Sequence, residues 1–277
     1  MFNGISDEPR TLSSLPPELI TLVAEELDLS GLARLAAAST VCLAAAQGEL
    51  RAALRTAIQR SLVPGAGPVS EALLACPHFC IPDGLVIIPI GAFRETSLIS
   101  ITLPASVITI NHLVFNRCTS LTEITLPAAL TEISYGAFKG CISLASISLP
   151  ATLVSLGDCA FEGCISLREL TLPASLTAVG NATCRNCSKL TMLTLPSALI
   201  TIGFSAFKGC SALTSATLPA SLTTIGNYAF EGCSSLTELS LSAALTTLGI
   251  GAFEDTSLSP RAREAIFALT YPIVIPL

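Results

Sequence analysis

Residues 218 to 240 read LPASLTTIGNYAFEGCSSLTELS, and close copies of this stretch stand on either side of it. The dipeptide Leu218-Pro219 is preceded at 23-residue steps by Leu195-Pro196, Leu172-Pro173, Leu149-Pro150, Leu126-Pro127 and Leu103-Pro104, and followed by a degraded Leu241-Ser242. A fixed period of this length is the signature of a solenoid, in which each unit buries its apolar face only by stacking on the next.

The columns of the repeat give each position a task. Four residues after the leucine of Leu-Pro stands an aliphatic residue (Val107, Leu130, Leu153, Leu176, Leu199, Leu222, Leu245), and three further on another (Ile110, Ile133, Leu156, Val179, Ile202, Ile225, Leu248). These form an inward row. Ala-Phe follows, as in Ala137-Phe138 and Ala229-Phe230, and then Gly-Cys, as in Gly140-Cys141 and Gly232-Cys233. This predicts a short helical turn closed by a glycine at positive φ. The unit ends on Leu-x-x-Ile-x-Leu, for example Leu121, Ile124 and Leu126, which reads as a strand terminated by the proline behind it. Seven such coils at inter-strand spacing make a stack roughly 35 Å long.

The first and last coils depart from the pattern. Arg94-Glu95-Thr96-Ser97-Leu98 and Glu254-Asp255-Thr256-Ser257-Leu258 are each one residue shorter and lack Gly-Cys. Relaxed geometry is expected at such termini. Ser259-Pro260 is a helix start, and Arg261 to Leu269 fits one short helix able to cover the open end.

On these residues the repeat resembles the BspA-type leucine-rich repeat, whose unit runs L-P-x-S-L-x-x-I-G-x-x-A-F-x-G-C-x-S-L-x-x-I-x. The resemblance covers residues 81–258 and implies a solenoid used to bind proteins, with no chemistry of its own.

Composition narrows the function classes. Only 12% of residues are charged and mean hydropathy is +0.70, yet no apolar run reaches the ~18 residues that mark a membrane span. The amino terminus, MFNGISDEPR, has no apolar stretch of the secretory kind, so an intracellular, cytoplasmic or nuclear, protein is expected. A net charge of −6 with three lysines (Lys139, Lys189, Lys208) and no basic cluster argues against nucleic acid.

Eleven cysteines invite a disulfide or metal reading, and the register removes most of it. Cys118, Cys141, Cys164, Cys187, Cys210 and Cys233 fill one column, where a free cysteine packs as a small apolar residue. Cys184-Arg185-Asn186-Cys187 has redox or zinc spacing only because Cys184 stands where the repeat places phenylalanine. Cys76-Pro77-His78-Phe79-Cys80 groups three potential metal ligands without an evident fourth. The two histidines, His78 and His112, have no nucleophile and acid at motif spacing, so no catalytic residue, cofactor site or metal site is assigned and a non-enzymatic protein is expected.

Binding is expected on the outward positions of the strand. One outward column is Ser100, Glu123, Ser146, Glu169, Met192, Ser215 and Glu238; its neighbour, Thr102, Thr125, Ser148, Thr171, Thr194, Thr217 and Ser240, is all hydroxyl. The first column is the candidate protein-binding site of the repeats.

Residues 1–63 carry no repeat and show helical spacing instead. Pro16-Pro17-Glu18 opens a helix with Leu19, Leu22 or Val23, and Leu27 on one face; Leu32 and Leu35 fit a second, and Leu43 through Leu62 an alanine-rich third. The stretch Leu15-Pro16-Pro17-Glu18-Leu19-Ile20, with Val23, Leu27-Asp28, Leu32, Arg34-Leu35 and Ser39, resembles an F-box. That resemblance implies docking on a Skp-type adaptor of a cullin-RING ubiquitin ligase, through Leu15, Pro16, Glu18, Leu19, Val23, Leu27, Leu32 and Leu35. Pro64-Gly65-Ala66-Gly67-Pro68 opens a linker over 64–80, and 259–277 forms the helical cap. The expected fold is therefore a small all-α bundle, a linker and a leucine-rich-repeat solenoid. Two functions stay open: a substrate-recruiting ligase adaptor, or an interaction scaffold or surface-type repeat protein whose first helices only cap the stack.

Overall fold

The chain divides into two units, Met1–Pro82 and Asp83–Leu277. The computed structural model describes residues 85–270 of the second unit, together with Ile81. The expected helical bundle and linker lie outside the described residues.

Most coils contribute two short strands, and every strand pairing is parallel. Two-residue strands occupy the end of the aliphatic row: β1 (Ile87–Ile88), β3 (Thr109–Ile110), β5 (Glu132–Ile133) and β6 (Ser155–Leu156) form one four-stranded sheet, and β8 (Ala178–Val179), β10 (Thr201–Ile202), β12 (Thr224–Ile225) and β14 (Thr247–Leu248) a second. Sequence inspection gave this row only as an inward wall; the structure adds that it is hydrogen-bonded. Three-residue strands form the expected Leu-x-x-Ile-x-Leu row and join in pairs: β2 (Ser100–Thr102) with β4 (Glu123–Thr125), β7 (Glu169–Thr171) with β9 (Met192–Thr194), β11 (Ser215–Thr217) with β13 (Glu238–Ser240).

The strand expected at Ser146 is absent: residues 146–148 have no strand pairing. Theirs is the only coil with serine at both outward positions, so it lacks the β-branched threonine or longer side chain that favours extended backbone elsewhere in the row.

Between the two strand rows the chain turns through Ala-Phe-x-Gly-Cys without forming an α-helix. The predicted positive φ holds at Gly140, Gly163, Gly209 and Gly232, and Arg117 and Asn186 adopt it where glycine is missing. A second left-handed column, unseen in the sequence, precedes Ala-Phe and contains Gly91, Leu113, Gly136, Cys159, Ala182, Ser205, Tyr228 and Gly251. The two inverted residues turn three N–H groups toward the next coil. Gly136 donates to Asp158 O (2.9 Å), Phe138 to Ala160 O (2.8 Å) and Gly140 to Glu162 O (2.7 Å). On the two-residue strand row the direction reverses, so that Thr131 and Glu132 donate to Ile108 O of the preceding coil. Each coil is thus bound to both neighbours by its own backbone.

Glycine after the aliphatic pair allows this spacing. A Cβ at Gly203 or Gly226 would lie 2.8 or 2.7 Å from the backbone of the coil below, where nothing flexible can yield.

The core is a phenylalanine stack beside a cysteine ladder. Rings Phe93, Phe115, Phe138 and Phe161 lie 5.2, 5.2 and 5.5 Å apart, nearly parallel, and Phe207, Phe230 and Phe253 continue at 5.2 and 5.3 Å. Cys184 interrupts the column, as its register requires. The column thiols donate backward: Cys141 Sγ to Phe115 O (3.0 Å), Cys164 to Phe138 O (3.1 Å) and Cys233 to Phe207 O (3.2 Å). Cysteine is therefore a small buried side chain that also satisfies a carbonyl.

The terminal coils keep this geometry rather than relaxing it. Glu95 and Asp255 take the positive φ, and Thr96 and Thr256 stand in the cysteine column with their hydroxyls on Phe93 O and Phe253 O at 2.8 and 2.7 Å. The C-terminal helix is present as α1 (Pro260–Thr270). Arg263 ties it to the last coil through Leu258 O and Thr256 O. Among the described residues, no helix is long and apolar enough to cross a membrane.

Candidate functional site

The strand face presents the predicted column to solvent. Ser100, Glu123, Ser146, Glu169, Met192, Ser215 and Glu238 are all exposed, and so is the whole Ser/Thr column from Thr102 to Ser240. In-register pairing sets Ser100 beside Glu123, Glu169 beside Met192 and Ser215 beside Glu238. Outward side chains of parallel neighbours lie about 4.8 Å apart, so the column is a continuous stripe across the coils.

Charge distinguishes this face from the turn side. On the turns three acids meet bases: Lys139 Nζ is 2.8 Å from Glu162, Lys208 Nζ 2.6 Å from Glu231, and Arg94 and Arg117 both approach Glu95. The Lys208 contact is close but off the hydrogen-bonding direction, so it counts as an ion pair alone. A hydrogen bond to Glu162 holds Lys139 above its ordinary pKa. Burial pushes the Glu162 carboxyl up, yet the hydrogen bonds from Lys139 and Cys159 outweigh it and leave this group below the usual value. Glu123, Glu169 and Glu238 on the strand face have no ion-pair partner among the described residues.

Among the described residues, the cysteines that looked chemical in the sequence are accounted for by packing. Cys184 and Cys187 are buried in adjacent core columns. Their separation in sequence follows from the repeat, and mutual hydrogen bonding, followed by burial, pushes the Cys184 thiol well up, away from the thiolate a nucleophile or metal ligand needs. Burial raises Cys141, Cys164 and Cys210 as well, and pushes Cys233 up to about 12. His112 is exposed and meets Tyr135 edge-on at 6.5 Å. Among the described residues, no three of His, Cys, Asp and Glu gather as a metal site. Cys76, His78 and Cys80 lie outside those residues, as do Leu15, Pro16, Glu18, Leu19, Val23, Leu27, Leu32 and Leu35 of the adaptor reading.

One turn-side feature escaped the sequence reading. Phe204 and Tyr228 meet edge-to-face at 6.0 Å, and Lys208 Nζ sits 5.6 Å from the Tyr228 ring centre. The available signal was Tyr228, the one aromatic in its column, one coil after Phe204 in the neighbouring column.

Comparison with known proteins agrees with this geometry. The BspA type leucine rich repeat region matches residues 86–214 and 155–261, in six copies. The chain belongs to the BspA-type leucine-rich repeat family. No curated protein matches it. Among solved structures, a leucine-rich repeat protein from Bacteroides ovatus is 32% identical with a TM-score of 0.61, over 63% of this chain and 46% of the other. The Treponema pallidum leucine-rich repeat protein is 30% identical with a TM-score of 0.52, over 69% of this chain and 80% of the other. One from Eubacterium ventriosum is 29% identical with a TM-score of 0.54, over 63% and 47%. The chain thus spans about half the length of the first of these structures. The similarity concerns the repeats, and neither the family match nor these structures supports the F-box-like reading of residues 1–63.

Proposed function

We propose that this BspA-type protein is an interaction scaffold whose strand face binds a protein partner through a stripe of hydroxyls and carboxylates. The observation that carries the reading is the unpaired state of Glu123, Glu169 and Glu238 among the described residues, on an exposed face, while the turn-side acids Glu95, Glu162 and Glu231 are engaged by bases. Exposed acids without an internal partner favour a partner surface rich in Lys and Arg, because complementary charge speeds encounter and fixes register. The Ser/Thr column beside them supplies donors and acceptors at a regular spacing along the same stripe. Family membership supports a protein-binding solenoid of this kind.

The finer reading, a ligase adaptor docking through Leu15 and Pro16, rests on the pattern of residues 15–39 alone. The scaffold reading needs no such partner. Affinity capture with the full chain separates them: the strand-face variant Glu123→Lys/Glu169→Lys/Glu238→Lys is expected to lose the basic proteins that the wild type retains. An unchanged captured set would overturn the proposal. Retention of a Skp-type adaptor by the wild type and its loss in Leu15→Ala/Pro16→Ala would instead support the adaptor reading.

A further inference from the structure

One junction in the stack is bonded differently from the rest. On the two-residue strand row a coil donates three backbone hydrogen bonds to the coil before it: Val154 and Ser155 to Thr131 O and Gly157 to Ile133 O, then Ile200 and Thr201 to Thr177 O and Gly203 to Val179 O. Six of the seven junctions between residues 86 and 249 follow this rule. Between residues 154–156 and 177–180 all three bonds are missing: among the described residues, the N–H groups of Thr177, Ala178 and Gly180 find no acceptor, and the carbonyls of Val154 and Leu156 no donor. The hydroxyls of Thr131, Thr223 and Thr246 also reach back to the preceding coil, at 3.1, 3.3 and 3.2 Å, and that of Thr177 does not. β6 and β8 accordingly end separate sheets.

Two side chains mark the same place. Cys184 stops the ring stack at Phe161 and lets it restart only at Phe207. Asp158 projects between the coils, where its carboxylate accepts from Asn181 N (2.7 Å) and Nδ2 (3.0 Å). A Cβ at Gly180 would meet that carboxylate first and backbone only at 3.1 Å, whereas at Gly157, Gly203 and Gly226 the backbone of the preceding coil stands at 2.6 to 2.8 Å. The coils are farther apart at Gly180.

The other two sides of the coil stay joined. Cys159, Phe161 and Gly163 donate to Asn181 O, Thr183 O and Arg185 O, each at 2.8 Å, and β7 pairs with β9. Opening any other junction on the two-residue wall breaks three backbone hydrogen bonds, and opening this one breaks none. Val154, Ser155, Thr177 and Ala178 are exposed, so water can serve the freed groups whether the junction is narrow or wide.

We propose that this junction is a hinge: residues 85–171 and 172–258 bend against each other by opening the two-residue wall, the turn ladder and the β7–β9 pair hold the axis, and the ring missing at Cys184 frees the motion. The bend changes the angle between the coils that carry Glu123 and Glu169 and the coil that carries Glu238, and so sets the curvature of the strand face. The inference does not depend on what that face binds. It is tested in the full chain with genetically encoded spin labels read by pulsed dipolar spectroscopy. Labels at positions 131 and 200 span the junction, and labels at 177 and 246 span equally many coils without it, three steps of about 4.8 Å in each case. The first distance distribution is expected to be about twice as wide as the second. Thr183→Ala/Cys184→Phe, which restores Ala-Phe to the coil, is expected to narrow it to the control width and to slow exchange of the Thr177, Ala178 and Gly180 amides at least tenfold. Protection of the Phe138 and Phe230 amides reports that a variant is folded, and the wild-type comparison decides alone if this one is not. Equal widths for the two wild-type pairs would overturn the proposal, as would a folded variant whose distribution stays wide.

Discussion

The turn side and the strand face of the same coils obey opposite rules. The turn side is nearly uniform in depth: phenylalanine rings at 5.2 to 5.5 Å, thiols on carbonyls, two left-handed residues and three forward hydrogen bonds per coil. The strand face holds Ser, Glu, Ser, Glu, Met, Ser and Glu in one column, and its three-residue strands pair only in twos. On one side backbone, rings and thiols all meet the neighbouring coil; on the other the backbone pairs in twos and the outward acids meet no ion-pair partner among the described residues. Structural constraint and functional freedom are thus separated within a coil of 23 residues.

The largest expected effect breaks the constrained side. Phe138→Ala opens the middle of a four-ring stack at a fully buried site, and a loss of about 3–5 kcal/mol is expected in denaturant unfolding. Phe253→Ala, at the part-exposed end, is expected to cost clearly less; equal losses would mean that the stack has no privileged interior. Next comes Gly226→Ala. Its methyl group meets the backbone at Gly203 and Phe204, and a cost of about 1–3 kcal/mol is expected, whereas Thr217→Ala on the exposed strand face is expected to stay within about 0.5 kcal/mol. A neutral Gly226→Ala would show that the coils stand farther apart than described.

Smaller effects sharpen the contrast in charge. Because the Glu162 carboxyl titrates below its ordinary value when folded, its contribution is present above the unfolded pKa of about 4.5 and is lost as pH falls through the lower folded value. The pair is partly exposed, so this amounts to less than about 1 kcal/mol. Thermal melts from pH 6 to pH 3 are expected to show a shallower acid limb in Glu162→Gln than in the wild type. The strand-face variant Glu123→Lys/Glu169→Lys/Glu238→Lys is expected to leave the melting temperature at pH 7 almost unchanged, each exposed substitution staying within about 0.5 kcal/mol. A large loss would show that these acids hold the fold together.

The register made most of this fold legible. Leu-Pro at 23-residue steps gave the coil, Ala-Phe the core column, and Gly-Cys the left-handed turn, because each needs a particular side chain: a ring to stack, a thiol small enough to be buried, a glycine to invert φ. The second left-handed column stayed hidden because Leu113, Cys159, Ala182, Ser205 and Tyr228 occupy it without a shared chemistry; the backbone ladder imposes the conformation there. The failed strand at Ser146 is legible only in comparison with its six neighbours. The outward column proposed here to bind was visible from alternation alone, but its distinguishing property, acids without ion-pair partners among the described residues, depends on which bases the turns consume. That is a three-dimensional fact.

The most direct test of a strand-face scaffold is site-specific photo-cross-linking in the full chain. A photoreactive residue placed at Met192 or Ser215 on the strand face is compared with one at Lys189 or Asn227 on other exposed surface of the repeats. Cross-links to a captured protein are expected from positions 192 and 215, and their yield is expected to fall at least tenfold when Glu123, Glu169 and Glu238 are changed to lysine. Cross-links from 189 and 227 in equal or greater yield, or yields at 192 and 215 that ignore the three substitutions, would contradict it.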